Sequence, residues 1–131
     1  MKKSFFFTIL LAIVLTSFCF TVNVHAQNQL PRLMVHVYQA GHCGNCQTFG
    51  YGQNNAYVWI VDGDGNTVLG PGYTDGSGNV YFQIPGGFSY GTYTIKACYP
   101  PPPNNDEIGS TTWNYQGGSP NECVCLIPNQ K

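Results

Sequence analysis

Charge is scarce in this chain of 131 residues: Asp, Glu, Lys and Arg together make up 8%, against roughly 25% in an average soluble protein. A nucleic-acid binder needs a basic face to displace counterions, and a formal net charge of −1 argues against one. Basic membrane-surface helices are disfavoured for the same reason. Helical periodicity is also missing, since no segment carries a 3.6-residue apolar repeat with capping residues. Beyond residue 26 the only histidines are His36 and His42, and neither sits in a recognisable Ser-His-Asp setting. Asp106 and Glu107 are adjacent and so do not face each other across a substrate as a glycosidase pair must. No enzyme is expected. Asn-x-Ser/Thr sequons are absent from residue 27 onward, which excludes N-glycosylation. A long disordered chain is unlike this one too, because 43% apolar and 15% aromatic residues can bury a core.

What is there begins with an export signal. Lys2 and Lys3 precede a nearly unbroken apolar stretch from Phe5 to Phe20, and Val24-His25-Ala26 ends on a small residue. This pattern reads as a secretory signal peptide over residues 1–26, cut after Ala26. The alternative is a retained anchor, but the run is slightly short of the ~20 apolar residues that span a bilayer. A lipid-anchored form would need a small residue before Cys19, where Phe18 stands. Residues 27–131 then form one domain of three basic and six acidic residues, with a net charge of −3 and no membrane span. The expected location is extracellular or in the cell envelope.

The mature chain alternates short strands with turns. Leu33, Val35 and Val37 alternate with Met34, His36 and Tyr38, a period-two strand. Residues 39–55 read as a Gly-, Asn- and Gln-rich loop. Ala56 to Val61 is apolar on both faces, which predicts a central strand covered on both sides. Asp62-Gly63-Asp64-Gly65-Asn66 is a turn before a short strand over residues 67–69. Further strands are expected over residues 80–84, 92–99 and 122–127. Pro100 to Pro103 predicts extended polyproline geometry, and residues 100–120 read as a Pro-rich, polar loop without periodicity. The whole predicts an all-β, immunoglobulin-like antiparallel sandwich of about seven strands.

Two phrases carry a family resemblance. Ala56-Tyr57-Val58-Trp59-Ile60-Val61-Asp62 precedes a glycine turn. Thr74-Asp75-Gly76-Ser77-Gly78-Asn79-Val80-Tyr81-Phe82 is followed by Gly91-Thr92-Tyr93-Thr94-Ile95-Lys96-Ala97. This resembles the prealbumin-like (transthyretin-like) sandwich of carboxypeptidase regulatory-like and Cna B-type domains, over roughly residues 56–99. The resemblance implies a secreted, non-catalytic accessory module. The lysine that forms an isopeptide bond on the first strand of Cna B-type domains has no counterpart here, because Arg32 is the only basic residue near that strand. No such crosslink is expected.

Five cysteines follow residue 26: Cys43, Cys46, Cys98, Cys123 and Cys125. In an exported chain they are disulfide candidates. Cys43 and Cys46 can close a small loop, and Cys98 can meet Cys123 or Cys125 if the last strand pairs with residues 92–99. Cys123 and Cys125 share a strand face and should not bridge each other. One thiol is left for an intermolecular bond or a free role. The metal alternative sets Cys43, Cys46, Cys123, Cys125 and His42 around zinc, although Cys-x-Cys is an unusual spacing for its second half. A thioredoxin-like role for Cys43 and Cys46 lacks the helix it needs. Asp62, Asp64 and Asn66 imitate the start of a calcium loop, but Thr67 and Tyr73 stand where the Gly and Glu of a full loop belong. No cofactor is expected.

Aromatic residues are in surplus. Tyr38, Tyr57, Trp59 and Tyr81 fall on alternate strand faces, so some must be exposed or form a second core layer. Phe49, Tyr51, Trp113 and Tyr115 fall in expected loops, and Tyr51, Trp113 and Tyr115 become candidates for stacking on sugars. The leading functional expectation is a structural, adhesive or assembly module that associates with itself or an extracellular polymer through exposed strands. A carbohydrate-binding accessory module is the alternative, and a small cysteine-based metal-binding protein the second alternative.

Overall fold

The computed structural model describes residues 29–131; the export signal expected at residues 1–26 lies outside them. Eight strands run in order: β1 Arg32–Tyr38, β2 Tyr57–Val61, β3 Thr67–Tyr73, β4 Asn79–Gln83, β5 Gly91–Tyr99, β6 Glu107–Tyr115, β7 Asn121–Cys125 and β8 Ile127–Pro128. They form a three-stranded sheet, β4-β1-β7, and a five-stranded sheet, β3-β2-β5-β6-β8. The fold is an all-β sandwich. Period-two alternation turns one face of each strand inward. Leu33, Val35, Val37, Val80, Phe82 and Val124 from the first sheet meet Val58, Ile60, Ile95, Ala97 and Trp113 from the second in one core.

One pairing departs from the antiparallel expectation. β7 lies parallel to β1, with Val124 opposite Val37 and Cys125 opposite Tyr38. The last strand therefore joins β1 rather than residues 92–99, whose neighbours are β2 and β6.

The largest difference lies in residues 100–120. Residues 101–104 form a turn instead of an extended polyproline run, and β6 pairs with β5 in unbroken register from Glu107 to Tyr115. Its inward positions are Gly109, Thr111, Trp113 and Tyr115, and its outward ones Ile108, Ser110, Thr112 and Asn114. Small and hydroxylated residues stand on both faces, so hydrophobic alternation is hidden although Thr suits a strand. β3 likewise continues beyond Leu69 to Tyr73. It is an edge strand, where Pro71 need not donate a ladder hydrogen bond. Gly72 faces Val80 and Phe82, and a Cβ there would press on both.

Two aspartates close tight turns in the same way, Asp62 in the β2–β3 hairpin and Asp75 in the connection that carries the chain from β3 to β4 of the other sheet. Asp62 Oδ1 accepts the backbone N–H groups of Asp64 and Asn66 at 2.9 and 3.0 Å. Asp75 Oδ1 accepts those of Ser77 and Asn79 at 2.9 and 3.0 Å. The calcium-like phrase thus folds as an Asx turn. Thr74, buried beside it, donates its hydroxyl to the Gln53 carbonyl and accepts from the Ala56 N–H. Gly78, at φ 82°, ends the second turn where the backbone of Gly52 passes so closely that a Cβ on either would collide. The Thr74–Gly78 phrase therefore performs structural tasks.

Candidate functional site

The outer face of the five-stranded sheet carries a row of apolar side chains set by register alone. Tyr73 of β3 lies opposite Tyr57 of β2, Tyr57 opposite Cys98 of β5, Cys98 opposite Ile108 of β6, and Ile108 opposite Ile127 of β8. Paired residues project to the same side, so the five form one line across the sheet. Tyr73 and Ile127 are each 56% exposed and Ile108 is 39% exposed. The next row is Trp59, Lys96 and Ser110. The Tyr57 ring stands 5.3 Å from Trp59 and 5.5 Å from Tyr73, centroid to centroid. A groove of about 560 Å³ lies over this face, lined in part by Trp59, Lys96, Ile108, Ser110 and Ile127.

The expectation that β2 is covered on both sides is corrected here. Val58 and Ile60 enter the core, but Tyr57 and Trp59 are half-buried on the open side. The sequence places Trp59 among strand aromatics of which some must be exposed but does not single it out, because an apolar run reads the same for a strand with two dry faces and a strand with one sticky face. The available signal was Lys96, whose alternation with Ile95 and Ala97 places a charge on the face that Trp59 shares.

Cys98 lies in the floor of the row between Tyr57 and Ile108, with 2% of its surface exposed. It is the one free cysteine among the described residues. Burial pushes its thiol pKa up, so the reactive thiolate is disfavoured at neutral pH. The leftover thiol is thus not presented for an intermolecular bond. Native protein at pH 7.5 is expected to leave Cys98 unlabelled by iodoacetamide over an hour, and denatured protein to take up one label per chain, read by intact mass.

The other four cysteines pair as Cys43–Cys125 and Cys46–Cys123. Neither the small Cys43–Cys46 loop nor a bridge from Cys98 forms. The reason is the placement of β7: beside β1, it puts both its cysteines next to the loop that leaves β1 at Tyr38. The thiolates of the zinc alternative are consumed in these bonds, and a disulfide sulfur is not the ligand zinc requires. The two bridges fit an oxidising compartment.

They bind residues 39–55 as a cover over the outward side of β1. His36 is buried, with Nδ1 2.6 Å from Asn79 Oδ1 and Nε2 3.2 Å from the Gly50 carbonyl. Tyr38 donates its hydroxyl to the Thr48 carbonyl at 2.9 Å, and Phe49 lies against His36 at 4.9 Å. His36 is a packed residue; its mid-strand position alone leaves a packed and a surface side chain equally open.

The proposed sugar-stacking residues separate. Trp113 is 1% exposed and Tyr115 6%, both in the core cluster with Tyr93 and Phe88. The polar stretch that reads as a loop is strand β6, which turns both rings inward, so neither offers a ring face to a ligand. Tyr51 is 67% exposed and stacks on His42 at 4.5 Å, 13° from parallel. The disulfide-bound loop carries it away from Trp113 and Tyr115. No helix among the described residues is long and apolar enough to cross a membrane. Comparison with protein-family models yields no match, and comparison with curated proteins yields none either.

Proposed function

We propose that this chain is an exported, non-enzymatic β-sandwich module with an adhesive or assembly role outside the cell, and that it holds its partner on the outer face of the five-stranded sheet. The single observation behind this reading is the row from Tyr73 through Tyr57, Cys98 and Ile108 to Ile127, with Trp59 beside it. An apolar line that crosses a whole sheet and leaves Tyr73, Ile108 and Ile127 open to water over a buried Cys98 marks a contact surface. The staples behind the other sheet support the extracellular part of the reading. His36, buried with both ring nitrogens engaged, supports the non-enzymatic part. The likeness of residues 56–99 to the prealbumin-like sandwich supports the accessory role.

The test is partition of the mature chain between medium and the surface fraction of its producing cells. Wild type is expected in the surface fraction, and a Tyr73→Ser, Ile127→Ser chain of unchanged melting temperature is expected to move into the medium. Equal retention of both would remove the reading.

A further inference from the structure

We propose that the groove over Trp59 and Lys96 is a binding site for a carboxylated polysaccharide, in which the sugar ring faces the indole and its carboxylate meets the lysine ammonium. This rests on the adhesive reading of the same sheet face and names its occupant.

The charge inventory points to an anion. The described residues hold three Lys or Arg side chains. Arg32 lies over the Tyr81 ring at 4.6 Å, and Lys131 pairs with Asp106 at 3.2 Å. Lys96 alone among them has neither an ion pair nor an aromatic partner, and it is exposed. The outward positions of β2, β5 and β6, set by their pairing with Trp59 and Lys96, include no Asp or Glu. Glu107 stands on β6 but at an inward position, and the other described acids lie in turns, just before β6 or on β7, so no outward carboxylate of these three strands faces the Lys96 ammonium.

The groove's other groups point to a hydroxylated polymer. Trp59 and Tyr57 stand on β2; Ile108 and Ser110 stand on β6, two strands away. Side chains on these strands are about 9–10 Å apart, twice the ordinary interstrand spacing, with Lys96 and the small Cys98 between them. That spacing accepts a flat ring against the indole, where the apolar face of a pyranose stacks. Along β5 and β6 the surface continues as three outward pairs: Lys96–Ser110, Thr94–Thr112 and Thr92–Asn114. Successive pairs are about 6.6–6.8 Å apart along the strands. They present hydroxyl, amide and ammonium groups to successive sugars of an extended chain. A ligand lacking the polymer's length would leave this track unused.

Affinity electrophoresis through polygalacturonate, alginate and a neutral glucan tests the site. Wild type should be retarded by one or both acidic polymers and not by the glucan, and retardation should fade as salt screens the pair. Lys96→Gln should weaken binding about tenfold or more, the scale of one lost charge-assisted hydrogen bond. Lys96→Arg should keep most of it, Trp59→Ala should abolish it, and Tyr51→Ala, on the disulfide loop, should bind as wild type. Circular dichroism confirms that each variant is folded. Absence of retardation, equal retardation by the neutral glucan, or a Lys96→Gln chain that binds as wild type would overturn the proposal. Monomeric galacturonate or benzoate binding as tightly as polymer would assign the carboxylate to a small molecule instead. A dimer dissolved by Trp59→Ala would assign the face to a second copy. If these assays fail while cell-surface material still captures wild type and not the Tyr73→Ser, Ile127→Ser chain, the occupant is wrong and the adhesive face stands.

Discussion

Replacing Cys43, Cys46, Cys123 and Cys125 together by alanine is expected to lower the melting temperature about threefold more than replacing either bonded pair. The bridges span 82 and 77 residues, but they are nested. Once one is closed, the other closes a ring of only the residues between the cysteines at each end. In the chain-entropy account, the first closure stabilises by about 4–5 kcal/mol and the second by about 2 kcal/mol. Each paired variant, Cys43→Ala with Cys125→Ala or Cys46→Ala with Cys123→Ala, should therefore lose about 2 kcal/mol, near 10 °C for a chain of this length. The quadruple variant should lose about 6–7 kcal/mol and 25–30 °C, a large share of the 5–15 kcal/mol typical of a domain. Calorimetry under oxidising conditions reads the three values. Paired variants that each lose as much as the quadruple one would show that the bridges act as a single unit and not as nested loops.

Trp113→Ala should cost about 3–5 kcal/mol, the range for removing a fully buried aromatic side chain. Trp113 is 1% exposed and packs against Phe88, Tyr93 and Tyr115 at centroid distances of 6.1, 5.5 and 5.2 Å. Its removal opens a cavity where both sheets meet. Trp59→Ala removes an indole that already touches water, and its cost to stability should stay within about 1 kcal/mol. Denaturant titration of both variants separates a core residue from a surface one. Similar losses for the two would contradict the assignment of opposite roles to the two tryptophans.

The strands that bury a continuous apolar face were readable. Leu33, Val35 and Val37, or Tyr93, Ile95 and Ala97, announce their inward side by period two. β6 was not readable, because its inward half begins with Gly109 and Thr111 and its outward half, after Ile108, is Ser, Thr and Asn; pairing with β5 decides its conformation. The cysteine pairing was hidden for a similar reason. Which cysteines meet depends on β7 choosing β1, a contact between the two ends of the chain that no local pattern records. The candidate site was half visible. Trp59 and Lys96 could each be placed on a strand face, but their alignment with Ser110, and that of Tyr57 with Cys98, Ile108 and Ile127, exists only through register. Trp113 and Tyr115 show the converse error. Aromatic residues in a polar stretch look exposed until that stretch becomes a strand and turns them inward.

The most direct measurement uses the chain's two tryptophans. In a Trp113→Phe variant Trp59 is the only indole, so its fluorescence reports on the outer face of the five-stranded sheet alone. Titration with soluble cell-surface polymer from the producing cells should shift Trp59 emission to the blue and shield it from iodide quenching, in step with binding measured by sedimentation. Polymer that binds the chain while leaving Trp59 emission and quenching unchanged would place the contact elsewhere and contradict the account.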